Sequence, residues 1–268
     1  MRNPKEVELL RRLLPAGKVM DRAELFEQLG IQSEGLPLLV ECLQECGFVF
    51  RQTEKTIEIL EEPEFLVPEI ILAGLQTKMI GRDVVVFRET TSTNDRVRQA
   101  GVAGVAEGLV IFAESQTGGR GTRGRKWVSP AGVGLWFSIL LRTRVPTGEW
   151  PLLVQMAAVA CAEAVEKWVE GTVRIKPPND LILGGAKLAG FLLETSSSWD
   201  FQILGIGLNV RSAPALDGYP TAAVEQFSRG RVSRGALAAE LLNLFEKWYL
   251  QTSLAEMSSA FERRVCVS

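Results

Sequence analysis

The sequence predicts an α+β protein in which helices flank a mixed β-sheet, preceded by a small helical module. After residue 83, apolar runs of strand length alternate with amphipathic stretches of helix length. Several of these strands follow one another across short turns, which favours antiparallel pairing within one sheet. The first 60 residues have mainly helical periodicity instead. These observations define two parts in a chain of 268 residues, which is long enough to bury a full core.

The sequence pattern of the helical module, residues 5–60, predicts three short helices followed by a hairpin. Leucines at helical spacing mark the first helix, and residues 21–24 form a capping box that opens the second, which ends at Gly30. The third helix spans Gly35 to Cys46, and two strands follow it around a polar turn. This order of helices and wing is that of a winged helix-turn-helix domain.

The charge of this module argues against DNA binding. Residues 1–65 carry eight Lys and Arg against thirteen Asp and Glu. The third helix, which would enter the DNA groove, has Glu34, Glu41 and Glu45 and no cation. A protein that reads a DNA groove needs cations that neutralise phosphates. We therefore interpret the module as structural or protein-binding.

The composition predicts a cytoplasmic protein without a membrane segment. The N-terminus is charged and lacks the apolar core of a signal peptide, and the longest apolar stretch, residues 152–165, is too short to span a bilayer. The net charge of −2 gives no general attraction to nucleic acid. Four cysteines lack the spacing of a zinc knuckle or a redox motif and are expected to be free thiols: Cys42, Cys46, Cys161 and Cys266.

The chain contains no histidine, and this restricts its chemistry. Ser-His-Asp triads, Cys-His dyads and histidine-ligated metal sites are excluded. No protein metal-ligand set is predicted from the other residue types. Any reaction must therefore use Lys, Arg, Asp, Glu, Asn and backbone dipoles.

The larger part of the chain alternates strands and helices. We assign residues 1–62 to the helical module, residues 63–82 to a linker and connecting helix, and residues 83–268 to the larger domain. An acidic, proline-containing segment at 61–64 marks the break. The predicted strands are 84–87, 109–113, 134–141, 173–176, 181–183, 188–194 and 201–207, and the predicted helices are 94–100, 151–169, 236–250 and 253–263.

The most informative segment is residues 115–127, called the glycine loop below, which follows the second of these strands. Its four glycines alternate with four cations, no acid occurs before Pro130, and Trp127 closes the run. Glycines let backbone N–H groups form a nest for anions, and arginines add charged forks that match phosphate. The run predicts a loop, neither helix nor regular strand, that orders around a phosphate-bearing ligand. A solvated basic linker and an Arg-Gly nucleic-acid tract are the alternatives.

Two further motifs follow the glycine loop. Residues 176–180, Lys-Pro-Pro-Asn-Asp, predict a turn at a strand end in which prolines fix the backbone while Asn179 and Asp180 present polar groups. Residues 184–194 predict a glycine hairpin that delivers Lys187 at the start of an apolar strand. Taken alone, each motif is also typical of an ordinary turn or of a solvated strand-edge charge.

The motifs occur in one order between residues 91 and 209, from a Ser/Thr-rich turn at 91–95 to Gly-Ile-Gly-Leu-Asn at 205–209. This ordered set resembles the biotin–protein ligases that carry a winged helix, some of which repress biotin genes. The resemblance covers nearly the whole chain and implies a class II synthetase-like catalytic core. It also implies that biotin and ATP condense with Mg²⁺ to biotinyl-5′-adenylate, that biotin passes to a lysine of a carboxylase's biotin carboxyl carrier domain, and that the protein is a homodimer.

The resemblance assigns roles to individual residues. Lys187, Arg120 and Asp180 would be catalytic, with the two cations neutralising charge on oxygens and the carboxylate accepting a proton. The residues that would contact biotin are Ser92, Thr93, Asn94, Gln116, Gly119, Trp127 and Gly190. The residues that would contact the nucleotide are Arg120, Gly121, Thr122, Arg123, Lys176, Asn179, Lys187 and Asn209.

This sequence departs from the family's pattern in three places. Thr122 replaces the second arginine of the usual Gly-Arg-Gly-Arg motif, and Pro177 replaces a tryptophan that often follows the lysine. Relatives also continue with a small C-terminal β-barrel, whose first strand would begin at residues 264–268. The resemblance therefore predicts a ligase that works without this barrel or one that is less active.

Three other functions stay open at this point. A lipoate ligase or lipoyl/octanoyl transferase shares the fold and an analogous lysine, but its loop motifs often contain histidine, and the transferases need a catalytic cysteine. A non-catalytic regulator that binds biotinyl-adenylate is the second. A degenerate pseudo-ligase is the third.

Thr122→Arg is expected to slow the release of the adenylate, because it restores a guanidinium to the loop that would hold the phosphate. We expect the dissociation rate of labelled biotinyl-adenylate to fall by about tenfold, equivalent to about 1.4 kcal/mol. Thr122→Gln, which adds a long side chain without a charge, is the control. A dissociation rate that Thr122→Arg leaves unchanged would contradict this prediction.

Overall fold

The computed structural model describes residues 3–143, 146–215, 218–251 and 253–266. The chain forms two compact units, Met1–Gly74 and Leu75–Ser268, each with its own buried apolar residues. The boundary between the units lies inside the segment 63–82, which the sequence assigns to a linker and connecting helix.

Helices surround a small antiparallel sheet in the first unit. The elements are α1 (Pro4–Leu13), β1 (Met20–Asp21), α2 (Arg22–Leu29), α3 (Gly35–Glu45), β2 (Val49–Gln52), β3 (Thr56–Glu61) and α4 (Pro68–Gly74). The sheet order is β1-β3-β2. Helix, turn, helix and hairpin follow in the predicted order, whereas β1 was not predicted, because a strand of two residues has no periodicity to reveal it.

Capping residues explain where α2 begins and ends. The Asp21 Oδ1 atom accepts hydrogen bonds from the backbone N–H groups of Ala23 and Glu24 at 2.8 and 3.2 Å. Gly30 ends the helix with φ of 57°, a left-handed conformation that glycine adopts without a steric cost. The side chains of Glu41 and Glu45 are exposed on α3, which gives that helix an acidic surface.

The second unit contains one mixed sheet with flanking helices, as the sequence predicts. Its strands are β4 (Asp83–Thr90), β5 (Leu109–Gln116), β6 (Gly134–Leu141), β7 (Arg174–Lys176), β8 (Asp180–Leu183), β9 (Ala186–Glu194) and β10 (Gln202–Asn209). Its helices are α5 (Thr93–Val102), α6 (Pro151–Glu166), α7 (Arg234–Gln251) and α8 (Leu254–Glu262). The strand order is β4-β5-β6-β10-β9-β8-β7.

The pairing of the strands follows from their connections. Strands β4 and β5 are parallel because α5 crosses between them, and the remaining neighbours are antiparallel. Every residue of β6 and β10 is buried, as expected for central strands covered on both faces. Helix α5 packs against β5, β6 and β10, whereas α6 packs against β8 and β9 and α7 against β6.

A buried ion pair fixes the start of α7 to the sheet. The Arg234 guanidinium donates to both carboxylate oxygens of Glu114 on β5, at 2.9 and 3.0 Å, and also to the Gly134 carbonyl. The Arg234 and Glu114 side chains are 2% and 1% exposed. Removal of one partner would leave an uncompensated buried charge, which typically costs about 3–5 kcal/mol.

A β-bulge shifts the register between β8 and β9. Leu181 pairs with Ala189 and the next residue, Ile182, pairs with Lys187, so that Leu188 is the extra residue in β9. Because of this bulge, Lys187 and Gly190 lie on the same face of the sheet although they are an odd number of residues apart.

Among the described residues, none of the helices combines the length and the apolar character needed to cross a bilayer.

The C-terminal segment of the second unit continues the sheet edge. Val265 forms a parallel bridge with Ile175 of β7, and the Cys266 N–H donates to the Ile175 carbonyl at 2.8 Å. Residues 265 and 266 are therefore paired with the edge of the sheet.

Glu246→Ala is expected to destabilise the second unit. The buried Glu246 carboxylate on α7 accepts hydrogen bonds from the N–H groups of Lys78, Met79 and Ile80 at 2.5, 2.8 and 2.6 Å. Without it these donors lose a charged acceptor, and we expect the free energy of unfolding to fall by about 2–4 kcal/mol. Glu240→Ala, which removes a half-buried carboxylate of the same helix paired with Lys167, is the control and should cost under about 1 kcal/mol. Urea denaturation measures both, and equal losses would contradict the prediction.

Candidate functional site

A cavity of about 580 Å³ lies on the sheet beside the glycine loop. It is lined by the start of α5, by the glycine loop, by the turn before β8, and by β9 and β10. The predicted site residues that line it are Ser92, Thr93, Asn94, Gln116, Arg120, Gly121, Thr122, Arg123, Trp127, Lys176, Asn179, Asp180, Lys187 and Gly190. Segments that are far apart in the sequence thus meet at one site.

Two glycines form a flat part of the cavity wall, on which the Trp127 ring lies. Gly190 of β9 and Gly207 of β10 are paired directly across the two strands. A Cβ on Gly207 would lie 2.4 Å from the Trp127 ring, and one on Gly190 would lie 2.9 Å from it. Only glycine at both positions leaves room for the indole so close to the backbone.

A chain of hydrogen bonds orders the polar end of the cavity. The Gln116 Oε1 atom accepts from the Thr93 N–H at 2.8 Å, and its Nε2 donates to the Ser129 hydroxyl at 2.8 Å. The Ser138 hydroxyl donates to Asn94 Oδ1 at 2.5 Å and lies 2.7 Å from the Thr93 hydroxyl. The Thr93 hydroxyl also lies 3.2 Å from Gln116 Oε1, so its single proton can be donated either to Gln116 or to Ser138. The network fixes the orientation of the Asn94 amide.

Two buried donors at the cavity have no partner among the described residues. They are Nδ2 of Asn94 and Nε1 of Trp127. A buried donor without a partner costs about 1–3 kcal/mol, so such groups are uncommon in folded proteins. Asn94 and Trp127 both line the cavity, so a ligand that brings acceptor oxygens into it would lie beside these donors.

Lys187 and Asp180 form an ion pair in the cavity wall. The Lys187 Nζ atom lies 2.7 Å from Asp180 Oδ1 and 5.3 Å from the centre of the Trp127 ring. Both side chains are mostly buried, at 14% and 18% exposed. Among the described residues that line the cavity, Asp180 is the only carboxylate. The ion pair therefore keeps an ammonium group in the cavity with its charge balanced.

The glycine loop folds as a hairpin, in part contrary to the predicted irregular loop. Its N-terminal arm, residues 116–121, pairs with its C-terminal arm, residues 125–127. The Gly121 N–H donates to the Arg125 carbonyl at 2.7 Å, and the Trp127 N–H donates to the Gly119 carbonyl at 2.9 Å. A Cβ at position 119 would lie 2.4 Å from the Trp127 carbonyl oxygen. Glycine there is a requirement of the pairing between the arms.

The tip of this hairpin is a 3₁₀ turn over residues 122–124. Arg123 and Gly124 both have left-handed backbone conformations, with φ of 57° and 73°. The Arg125 guanidinium folds back over the turn and donates to the Thr122 carbonyl at 3.3 Å and hydroxyl at 3.2 Å. Arg125 thus places a cation beside the position where the family's motif has its second arginine.

Arg120 has a different environment from the one that the sequence suggests. Its guanidinium donates to both oxygens of Asp95 on α5, at 2.9 and 3.0 Å, and to Glu194 on β9, at 3.1 and 3.2 Å. The hydrogen bonds from Arg120 lower the pKa of Asp95 below its usual value. Arg120 lines the cavity, but two carboxylates hold its charge.

Two predicted site residues do not line the cavity. Gly119 lies in the loop hairpin as described above. Asn209 is buried, and its Nδ2 donates to the Ala222 carbonyl at 3.0 Å. The predicted nucleotide-binding role of Asn209 stays a prediction, and Asn209 is not among the residues that line the cavity.

Several cavity residues were not predicted. They include apolar walls (Phe137, Phe191, Leu192 and Ile206) and two groups at the rim (Arg125 and Tyr219). The apolar residues look like ordinary core positions in the sequence. Tyr219 is 54% exposed, and the Lys176 Nζ atom lies 5.4 Å from its ring centre. An aromatic residue between Gly218 and Pro220 in a predicted loop was the only signal for it.

No cluster of three or more His, Cys, Asp or Glu side chains suited to a metal ion occurs among the described residues. A Mg²⁺ ion takes most of its ligands from phosphate oxygens and water and needs only one or two protein carboxylates. Asp180 and the neighbouring Asn179 amide therefore fit only an ion that enters together with phosphate.

Gly207→Ala is expected to disturb the Trp127 ring. The added methyl group would collide with the ring, and overpacking of this kind costs about 1–3 kcal/mol. The same change in a Trp127→Ala background should cost less, so a double-mutant cycle of unfolding free energies isolates the contact. Gly230→Ala, where a Cβ meets nothing within 4 Å, is the control. Equal costs of Gly207→Ala in both backgrounds would show that the ring is not the obstacle.

Known proteins with similar sequences are biotin ligases or belong to a family that includes them. Residues 86–210 match the Biotin/lipoate A/B protein ligase family. The chain is 28% identical over 260 residues to the bifunctional ligase/repressor BirA of Bacillus subtilis, covering 93% of this chain and 79% of that protein. It is 31% identical over 207 residues to the biotin–[acetyl-CoA-carboxylase] ligase of Mycobacterium tuberculosis, covering 74% of this chain and 77% of that protein.

A solved structure shows the same fold. The biotin protein ligase from Aquifex aeolicus in complex with biotin and ATP superposes with a TM-score of 0.61 at 26% identity, covering 69% of this chain and 78% of that chain. The shared fold, the sequence identity and the cavity with its basic loop lead to one assignment. This chain belongs to the family of ATP-dependent biotin–protein ligases.

Proposed function

We propose that this ligase forms biotinyl-5′-adenylate from biotin and ATP and then transfers biotin to a lysine of a biotin carboxyl carrier domain. The observation that carries the proposal is the pair of unpartnered buried donors, Asn94 Nδ2 and Trp127 Nε1, in a cavity that also holds Lys187. Biotin offers both an apolar body and acceptor oxygens, on its ureido ring and its carboxylate. This combination matches the cavity.

The polar end of the cavity is the proposed site of the ureido ring. Ser92, Thr93 and Asn94 lie there at the start of α5, and each is less than 5% exposed. The network through Gln116 and Ser138 holds Thr93 and Asn94 in one orientation, which a rigid heterocycle requires. The apolar walls would cover the rest of biotin. Gly190 and Gly207 leave space for the Trp127 ring, which would form one wall beside it.

Lys187 is the proposed catalytic cation of the first step. The biotin carboxylate attacks the α-phosphorus of ATP, a new C–O–P linkage forms, and pyrophosphate leaves. The ammonium group would stabilise the negative charge that develops on the phosphate oxygens. In this structure its charge is balanced by Asp180 at 2.7 Å. A phosphate group would therefore exchange one anionic partner of Lys187 for another, and the Asp180 carboxylate that it displaces would need the Mg²⁺ ion that enters with ATP as its new partner.

Asp180 is the proposed proton acceptor of the second step. The carrier lysine attacks the acyl carbon of the mixed anhydride as a neutral amine, AMP leaves, and the amide nitrogen loses a proton. Asp180 is the carboxylate available in the described cavity wall. Lys187 would stabilise the oxyanion of this step as well.

The nucleotide is proposed to lie at the rim between the loop tip and the turn before β8. Gly121, Thr122, Arg123, Lys176 and Asn179 line this end of the cavity. The Asn179 amide is itself fixed, because it donates to the Phe191 carbonyl at 3.0 Å. Mg²⁺ would enter with ATP, held by its phosphates and by Asp180. Bound there, the Mg²⁺ ion would neutralise part of the negative charge of the phosphates.

The proposed function also implies macromolecular partners. A carboxylase carrier domain is the proposed acceptor of biotin, and a homodimer in the cytoplasm is the proposed state of the protein. The exposed Glu41 and Glu45 on α3 weigh against DNA as a ligand of the first unit.

One experiment tests the proposed reaction. The full chain is incubated with ATP, Mg²⁺, a carrier domain, and labelled biotin or labelled lipoate. We expect labelled adenylate and carrier-bound label with biotin only. Adenylate without transfer would support the first step alone, whereas the absence of biotinyl-adenylate would overturn the proposal.

Lys187→Met is expected to reduce adenylate formation by about 10²–10³-fold, because it removes the cation but keeps an unbranched side chain of similar reach. Lys167→Met, which removes an exposed lysine of α6's C-terminal end, is the control and should leave the rate unchanged. The initial rate of pyrophosphate release measures both variants. Similar rates for Lys187→Met and the unmodified chain would remove Lys187 from the proposed mechanism.

A further inference from the structure

Arg120 joins the glycine loop to two other elements of the second unit. Its Nε–H and Nη2–H groups reach Glu194 at the end of β9, and its Nη1–H and Nη2–H groups reach Asp95 in the first turn of α5. These contacts use four of the five guanidinium N–H groups. At most one N–H is left for a ligand in the cavity.

Because of the position of Arg120 within the loop, these contacts hold the N-terminal arm close to the loop tip. Arg120 lies in the N-terminal arm, next to the loop tip, and forms a backbone bridge with Lys126 of the C-terminal arm. The C-terminal arm is held separately by Trp127 on Gly190 and Gly207. Each arm is therefore anchored to the sheet by one side chain.

The charges at this anchor favour a persistent contact. Asp95 and Glu194 are about one-fifth exposed, and Arg98 adds a second cation at 2.5 Å from Asp95. Arg120 lowers the pKa of Asp95 through hydrogen bonding, and Asp95 and Glu194 raise the pKa of Arg120. The contribution of Asp95 is fully present above the usual carboxylate pKa and is lost only as the pH falls through its lowered value. The anchor is thus complete throughout the neutral range.

We infer that Arg120 is the latch of the glycine loop, and that Asp95 and Glu194 are positioning residues that hold the loop over the cavity. The inference deepens the proposed function and rests on it for its consequence in turnover. By keeping the loop in place, the latch would retain the adenylate and exclude water from the anhydride. Arg120 acts through the loop rather than by a direct contact with phosphate.

The rival interpretation makes the opposite prediction for the same variants. If Arg120 is a phosphate ligand, Asp95 and Glu194 compete with the nucleotide for it. Removal of their charges would then free the guanidinium and strengthen adenylate binding. If Arg120 is a latch, removal of the same charges opens the loop and weakens adenylate binding.

The first measurement follows the loop itself, without any ligand. Trypsin cleaves after Arg123, Arg125 and Lys126, which are exposed in the loop and remain in every variant. Cleavage there divides the 29.5-kDa chain into fragments of similar size. We expect initial cleavage to be about fivefold faster in Asp95→Asn and in Glu194→Gln, and about tenfold faster in Arg120→Gln, because cleavage requires local opening. Arg229→Gln, which removes an exposed arginine that is paired with Glu170 outside this cluster, is the control and should cleave like the unmodified chain.

The second measurement follows the adenylate. We expect labelled biotinyl-adenylate to dissociate about fivefold faster from Asp95→Asn and Glu194→Gln, and Glu194→Gln to have no further effect in an Arg120→Gln background. Slower dissociation from the acid variants, or unchanged trypsin cleavage in all three latch variants, overturns the latch. If no adenylate forms at all, the proposed function fails, and the trypsin series still decides whether the latch exists.

Discussion

A single extra residue in β9 decides which face of the sheet Lys187 occupies. Side chains alternate along a strand, so Lys187 and Gly190 would lie on opposite faces of a regular strand. The bulge at Leu188 restores them to one face, where Lys187 meets Asp180 of β8. The same ammonium group lies over the Trp127 ring, and that ring lies on Gly190. The Lys187–Asp180 ion pair and the contact of the loop with β9 thus follow from one irregularity in the ladder.

Strand β9 is also where both arms of the glycine loop are attached. Its beginning carries Lys187, its middle carries Gly190 beneath Trp127, and its end carries Glu194 on Arg120. A strand within a sheet is a rigid base, because both of its edges are hydrogen-bonded to neighbours. A loop that is rich in glycine would otherwise be expensive to order, since each glycine loses much backbone freedom. Because both arms are anchored on the same rigid strand, the contacts with β9 offset the entropy cost of ordering the whole loop.

The sequence allowed the fold class to be predicted because strand length, helical periodicity and turn residues agree throughout the second unit. The strand at 134–141 has the predicted bounds, and the mixed sheet with flanking helices is confirmed. The partners of Arg120 were beyond prediction, because Asp95 and Glu194 are 25 and 74 residues away from it. The bulge at Leu188 was equally hidden, since its effect depends on the register against β8. The order of the motifs predicted where the site lies. The ion-pair partners of its charged residues could be identified only in the folded structure.

The unpartnered amide of Asn94 and indole of Trp127 have a consequence for discrimination between acids. An acid that brings acceptor oxygens to these groups would satisfy them, whereas a purely hydrocarbon or dithiolane tail would leave them without an acceptor. Sites built to hydrogen-bond a polar group reject analogues without it far more strongly than apolar pockets reject a change in length. We therefore expect selectivity in this cavity to come more from the donors that a wrong ligand leaves without an acceptor than from the contacts that the right ligand gains.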